Sequence, residues 1–393
     1  MKRWKYVALC ALAVPLAWAA PNPARVPANA DLVIVGDRLD QGARFADAQK
    51  EALRKAGVDV DAFSKAQRAN LEACSKNVQA MLKAAFGFSD DWETWTTRSS
   101  VFSLTLPERL DNPEADFAKA ILFFAVENPK ADFAAFDAAV RAEAATSEQL
   151  GDMTFSKSGA WTVLRDKEPD PSLPDAFLAW RALPDGIAFA MSGGDFAKVA
   201  ALAEGKGAAV TAKSPLAAAF QAPKGAEGPW INLMVRDVSD LVKRSVPAEA
   251  LANPSVQMAA GWQKDAKALR LACWQEADKQ RFVLTLRATD AAAATKIRDS
   301  LLGMKAMFAM MLAQPQAGQS GVPPLAKWFN EVSCEARGDV VTLDLSMDYA
   351  QLAAVLKIAQ SQAGDTEDEE PEDEDEPLSE EEAKATLDGL ETL

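Results

Sequence analysis

The chain of 393 residues contains no histidine. That single absence removes His-based catalytic triads, imidazole general bases, imidazole metal ligands and histidine-driven pH switching. Cysteine is almost as scarce: Cys10 lies in the apolar N-terminal stretch, which leaves Cys74, Cys273 and Cys334. The sequence also lacks Gly-x-Ser-x-Gly, Ser-x-x-Lys, a phosphate-binding glycine-rich loop, a dinucleotide fingerprint and a paired Cys-x-x-Cys, so the common hydrolase, nucleotide and redox chemistries have no motif to stand on. No cofactor and no metal site is expected, and nothing assigns a catalytic residue. No basic cluster is present either. Nucleic-acid binding needs a cationic footprint and is excluded on that ground.

No apolar run reaches the roughly 20 residues of a spanning helix. The longest, Tyr6 to Ala20, follows Lys2, Arg3 and Lys5 and ends in Ala17-Trp18-Ala19. A basic start, a short apolar stretch and a small-x-small site spell a cleavable secretory signal peptide over residues 1–20. The expected location is therefore periplasmic or secreted, with no transmembrane helix in the mature chain. Net charge is -15, and the fifteen acidic residues between Asp365 and Leu393, set against Lys384 alone, account for nearly all of it. The body is close to neutral. Thr366 to Pro377 is acidic, contains proline and lacks aromatics, a composition that cannot bury enough apolar surface to fold. Beyond it, Ser379 to Glu382 has a capping-box pattern, and Leu387, Leu390 and Leu393 make a thin stripe, so a short terminal helix is expected after the acidic run.

The rest is organised around a phrase that occurs twice. Ser192 to Leu202 and Ser346 to Leu356 match in character from Asp195 and Asp348 onward, each following an apolar strand-like run and opening a helix. Reading outward from these copies gives a first repeat over 21–204, a join rich in alanine, glycine and proline over 205–228, a second repeat over 229–363 and the acidic tail over 364–393. In the first repeat, after a proline-rich lead-in, strands are expected at Leu32 to Val35, Ser99 to Leu106, Ile121 to Val126 and Ile187 to Met191, with a hairpin about Lys157-Ser158-Gly159. Helices are expected over about Asp40 to Lys55, continuously from Asp61 to Phe86, and from Asn128-Pro129 onward. In the second repeat, Trp230 to Val235 mirrors Leu32 to Val35, and Leu269 to Trp274 pairs with Phe282 to Leu286. Thr289-Asp290 caps a long helix carrying Ala294, Ile297, Leu301, Met304, Phe308 and Met311 on one face. A last hairpin turns at Arg337-Gly338-Asp339. Short turns force antiparallel pairing, and helices returning to a sheet cover one face of it. The expected fold is α+β: two duplicated units of mainly antiparallel sheet with helices packed on one face. Cys273 and Cys334 both alternate with apolar neighbours on strands, which leaves open either a disulfide or two small buried thiols.

Four features carry candidate chemistry. Asp90, Asp91, Trp92, Glu93 and Trp95 put carboxylates beside indoles, which suits sugar stacking with acid and nucleophile chemistry; helix capping by Ser89 and Asp90 accounts for the same residues. Met304, Met307, Met310 and Met311 offer soft thioethers, or with Phe308 the lining for an apolar small molecule, or plain core filling. Arg337-Gly338-Asp339 spells an adhesion tripeptide but is ordinary hairpin chemistry. The acidic tail reads either as a solvating run or as an electrostatic handle for a basic protein or another envelope partner.

The signal peptide, the opening Pro27 to Val35 and the repeated strand-Asp-aromatic-Ala-helix units resemble uncharacterised exported proteins of bacterial envelopes that carry a duplicated α+β unit. The likeness spans most of residues 21–360. It implies an exported, duplicated α+β protein and transfers no functional residue. The expected role is that of a noncatalytic interaction or scaffold protein, with an apolar-ligand or lipid carrier and a histidine-free glycan hydrolase as the alternatives.

Overall fold

The computed structural model describes residues 22–41, 50–55, 57–88, 96–108, 119–147, 152–169, 171, 173, 175–192, 196–203, 208–245, 262–276, 279–313 and 331–353. Its β-branched and aromatic runs form β1 (Leu32–Asp37), β2 (Ser99–Thr105), β3 (Ile121–Glu127), β4 (Met153–Ser158), β5 (Trp161–Asp166), β6 (Phe177–Leu183) and β7 (Gly186–Ser192). Further along come β8 (Trp230–Val235), β9 (Ala266–Glu276), β10 (Lys279–Ala288), β11 (Ser333–Arg337) and β12 (Val340–Asp348). All join one twelve-stranded sheet in the order β11-β12-β10-β9-β8-β1-β2-β3-β7-β6-β5-β4. Every pairing is antiparallel. The fold is thus α+β around an antiparallel sheet, as the sequence leads one to expect, and the strands of both expected repeats belong to that one sheet.

The register aligns apolar side chains right across it. Ala336, Val341, Leu286, Leu269, Val235, Leu32, Leu104, Leu122, Met191, Leu178, Leu164 and Phe155 form one row of directly paired residues. Because strand side chains alternate, the whole row lies on one face, and that face takes the helices. Lys76–Phe86 (α2; α1 is Val60–Glu72) and Phe133–Thr146 (α3) cover one end: Phe86 meets Phe124, while Phe136 meets Trp180 and Phe189 edge-on. At the other end, Val238–Ser245 (α5) and Ala291–Ala313 (α6) bury Val238, Ala293, Ala294 and Ile297 against Leu286 and Val341. Phe196–Ala203, between them in sequence, is α4.

The second face is covered unevenly. Val26 and Ala30 of the proline-rich lead-in, Val199 of α4, and Val210, Leu216 and Ala219 are all buried with Val33, Val35, Val101 and Ala188. The lead-in is stitched to the later segment by Ala28 N–H to Ala208 O and Val210 N–H to Val26 O, both 2.9 Å. Phe196 packs on Phe177 and Trp161. These pieces lie over the β1 side of the sheet and end at Gln221, where Asn232 Nδ2 donates to the carbonyls of Ala219 and Gln221 at 2.9 and 2.8 Å.

Several sequence expectations are corrected in detail. The expected continuous helix from Asp61 to Phe86 is two helices, because Ser75 caps a new start, its Oγ accepting from Val78 N at 3.1 Å. The helix expected at Asn128-Pro129 begins at Phe133 behind Asp132, whose Oδ1 accepts from Ala135 N. Asn128 is instead a buried tie: it accepts from Thr96 Oγ1 and donates to Ala85 O, joining β3 to α2. Strand β6 was not anticipated, and it turns into β7 at a point where only glycine fits, since a Cβ on Gly186 would sit 1.7 Å from Val126 O. A Cys273–Cys334 disulfide is excluded. Their strands β9 and β11 are separated by β10 and β12, about 14 Å at the usual strand spacing, whereas a bridge needs Cα atoms within about 7 Å. Cys273 remains a thiol, pushed up to about 11 by burial despite the hydrogen bond from Gln280.

The central contact is β1 against β8, with Leu32 opposite Val235 and Asp37 opposite Trp230. Its end is locked by Asp31, 4% exposed. Asp31 Oδ1 accepts from Arg236 at 3.0 Å and Arg244 at 2.5 Å, and its Oδ2 accepts from Leu106 N at 2.8 Å. Arg244 also donates to Pro107 O and to Asp240. Burial alone would lower the Arg244 pKa; the bond and charge of Asp31, helped by Asp240, raise it. Removing Asp31 strands two guanidinium groups and an amide. Asp31→Ala is expected to cost about 3 kcal/mol, read as a lower urea midpoint with an unchanged slope.

A second tie fastens α3 to the sheet. Asp137 accepts from Arg141 Nε at 2.9 Å, Trp180 Nε1 at 2.8 Å and Thr162 Oγ1 at 3.2 Å. Burial pushes its pKa up, but the Arg141 and Trp180 bonds prevail and hold it below the ordinary 3.8. A depressed carboxylate contributes stability above its unfolded value and loses it as pH falls through the folded one. Urea midpoints should therefore fall more steeply below about pH 4 in the wild type than in Asp137→Asn, whose midpoint at neutral pH should already be lower.

Candidate functional site

Among the described residues, no segment covers the part of the second face beyond Gln221, on β9, β10 and β12. Alternation directs Arg270, Ala272 and Trp274 of β9 to this side, opposite Leu269, Leu271 and Cys273. Their partners across β10 are Thr285, Val283 and Arg281, and Val283 in turn faces Asp344 on β12. With Pro223, Lys224 and Gly225 as one wall and Glu276 at the end, these residues line an open groove of about 440 Å³. That volume lies within the usual range for small-molecule sites.

The two arginines of the groove are in opposite electrostatic states. Arg281 donates to Asp344 through Nε at 3.2 Å and Nη2 at 2.7 Å, and to Glu276 through Nη1 at 3.2 Å. The hydrogen bond to Asp344 is the largest influence on it, and its pKa is raised. Its guanidinium carbon also stands 5.5 Å from the Trp274 ring centroid, within cation–π reach. Arg270 has only neutral acceptors: its Nη2 donates to Gln221 O at 2.9 Å and Asn232 Oδ1 at 3.1 Å. Burial pulls its pKa below the ordinary value. Its Nε is buried and finds no acceptor among the described residues, as is also true of the indole N–H of Trp274 and of Trp230, the cross-strand neighbour of Trp274. Three orphaned donors thus cluster on neighbouring strands.

The arrangement suits binding. The carboxylates Glu276 and Asp344 are both engaged by Arg281, so they are held as structural counter-charges, and the unbalanced group is a cation. Apolar surface comes chiefly from half-buried Val283, over a floor of Ala272 and Trp274 that are each only 4% exposed.

None of these groove residues stood out in the sequence. The available signal was Arg270, embedded in a strand whose neighbours Ala268, Leu269, Leu271 and Ala272 are apolar on both faces. Of the residues singled out earlier, Asp90, Asp91, Trp92, Glu93 and Trp95 lie outside the described residues, as does the acidic tail. Met304 is half-buried on α6, while Met307 and Met310 are 50% and 65% exposed, near the exposed Leu302. Phe308 and Met311 belong to α6, and their side chains are outside the described set. Helix α6 lies on the opposite face of the sheet, so Met304 and Met307 do not meet the groove. Gly338, at φ 60, makes the expected turn between β11 and β12, and Asp339 of the adhesion-like tripeptide is bound by Arg287 Nε at 2.9 Å. Asp348 caps the second repeated phrase, accepting from Gln351 N at 2.8 Å. Tyr349 is buried there, its hydroxyl bonded by Gln275 Nε2; Asp195 of the first copy lies outside the described residues. No helix among the described residues is long and apolar enough to cross a membrane.

No family model matches this chain, and no curated protein does. Among solved structures it is similar to TP0453, an envelope protein of Treponema, in three crystal forms. Form III gives a TM-score of 0.42 at 8% identity, covering 86% of this chain and 97% of that one. Form I gives 0.37 at 9% over 87% and 98%, and form IV 0.39 at 10% over 85% and 95%. Likeness at this level assigns the chain to no family and transfers no role.

Proposed function

We propose that this is a noncatalytic exported protein that works by holding a ligand or partner segment in the groove of β9, β10 and β12. The observation that carries the reading is Arg270, a half-buried cation in an open groove with no carboxylate against it. The acids of the groove are both taken up in hydrogen bonds from Arg281, and what the groove offers instead is donors and a little apolar surface. Export rests on the basic start, apolar stretch and Ala17-Trp18-Ala19 of the N-terminus. Native mass spectrometry of the protein isolated from its own host should show a noncovalent companion. Thr285→Trp, which fills the groove opposite Arg270, should release it without lowering thermal stability by more than a few degrees. A companion retained equally by the variant, or none in the wild type, overturns the reading.

The acidic run after Asp365 extends the reading as a charge handle for a basic partner, because a block this concentrated attracts cationic surfaces over about a Debye length. Deleting residues 365–393 should reduce recovery of partners from envelope extract, and the lost fraction should be the part that added salt also removes. Unchanged recovery would exclude the handle.

One observation favours the apolar-ligand alternative. Met307 and Met310, three residues apart and so neighbours on the surface of α6, stand exposed, and grouped exposed apolar side chains mark contact surfaces.

A further inference from the structure

A guanidinium out of water needs a counter-charge or a full set of acceptors. Arg270 has neither: two neutral oxygens serve its Nη2, its Nε is buried without an acceptor, and the neighbouring acids are already bound to Arg281. The two acceptors do supply rigidity. Asn232 is fully buried and fixed to Ala219 and Gln221, so the guanidinium plane is held in place before any ligand arrives, and preorganisation of this kind lowers the cost of binding. Along the same strand, two and four residues on, lie Ala272 and Trp274, with Val283 beside Ala272 on β10. The Trp274 indole N–H is a further buried donor without an acceptor, and Lys224 on the rim adds a second positive charge.

We propose that the groove is a carboxylate site, in which Arg270 receives the acid group of a small organic acid and half-buried Val283, above the buried floor of Ala272 and Trp274, receives its apolar body. This rests on the groove being the binding surface and adds the chemical class of what it takes. A cation is disfavoured there by Arg270, Arg281 and Lys224, and a wholly apolar molecule would leave the buried donors unserved. Both Nη2 hydrogens of Arg270 are already given to Gln221 and Asn232, so a carboxylate is received through Nη1, as a charge-assisted hydrogen bond stronger than any a neutral acceptor would make.

Benzoate and benzamide differ chiefly in charge and test this directly. Each is titrated into the 15N-labelled mature chain while the indole N–H signals of Trp274 and Trp230 are followed, assigned by Trp→Phe replacement. Benzoate should move the Trp274 signal and bind at least about tenfold more tightly than benzamide. Arg270→Leu should bring the two probes level, and Arg270→Lys should keep part of the preference. Should Arg270→Leu not fold, the wild-type comparison and the Lys variant decide. Equal binding of both probes to the wild type overturns the carboxylate assignment while leaving the groove a binding surface. No shift with either probe overturns the assignment as well, and the native-mass result then tells whether the broader reading falls with it.

Discussion

Everything in this molecule hangs on the pairing of β1 with β8. Strands at that position close what would otherwise be two exposed sheet edges, each a row of unpaired amides and carbonyls. Antiparallel pairing of two like strands also places them about a local two-fold axis, so that whatever lies outward on one side has a counterpart on the other. Outward from the pair the strands run β2-β3-β7-β6 on one side and β9-β10-β12-β11 on the other. The order is the same, with the hairpin of β4 and β5 added beyond β6. Asp31 gives the joint a definite register, because a one-residue slip would carry its carboxylate away from both Arg236 and Arg244 and turn the row from Leu32 to Val235 to the wrong face.

Cover is where the two sides part company. The helix face is served on both sides, by α2 and α3 at one end and by α5 and α6 at the other. Among the described residues, the second face is closed as far as Gln221, by the lead-in, α4 and the segment from Val210 to Phe220. Arg270 marks the boundary: Nη2 of its guanidinium holds down the last covered residue while its Nε is buried without an acceptor. The groove is thus a product of incomplete symmetry, and its polar character follows from being the place where a buried network runs out of partners.

Much of the architecture is legible in local sequence. Alternation at Ser99 to Thr105, the Arg337-Gly338-Asp339 turn, and Asp290, whose Oδ1 caps α6 through Ala293 N at 2.8 Å, are short-range signals with short-range causes. The misses have long-range causes. Ser75 breaks a helix that periodicity alone would continue, because the stripe through Leu71, Cys74 and Val78 says nothing about a competing cap. Asn128 looks like a helix start, yet its amide is worth more as a buried tie between Thr96 and Ala85. The lead-in looks like a spacer, but Val26 and Ala30 are core residues, which only the tertiary bridge to Ala208 and Val210 reveals. The groove was illegible for the same reason: Arg270, Arg281 and Asp344 lie on three strands and become neighbours through register.

That register also explains why the groove lies here and not among the residues that drew notice first. Methionines on α6 and acids near Trp92 are conspicuous because they are concentrated in sequence, whereas a site on a sheet face is assembled from every second residue of several strands. Such a site needs one strand face to be free of cover and one polar group to be fixed without being neutralised. The described surface meets both conditions at Arg270, where Asn232 supplies the fixing and Arg281 removes the acids that would otherwise neutralise it. Charge is left over in a place that geometry holds rigid, and a rigid uncompensated charge beside apolar surface has a defined chemical complement.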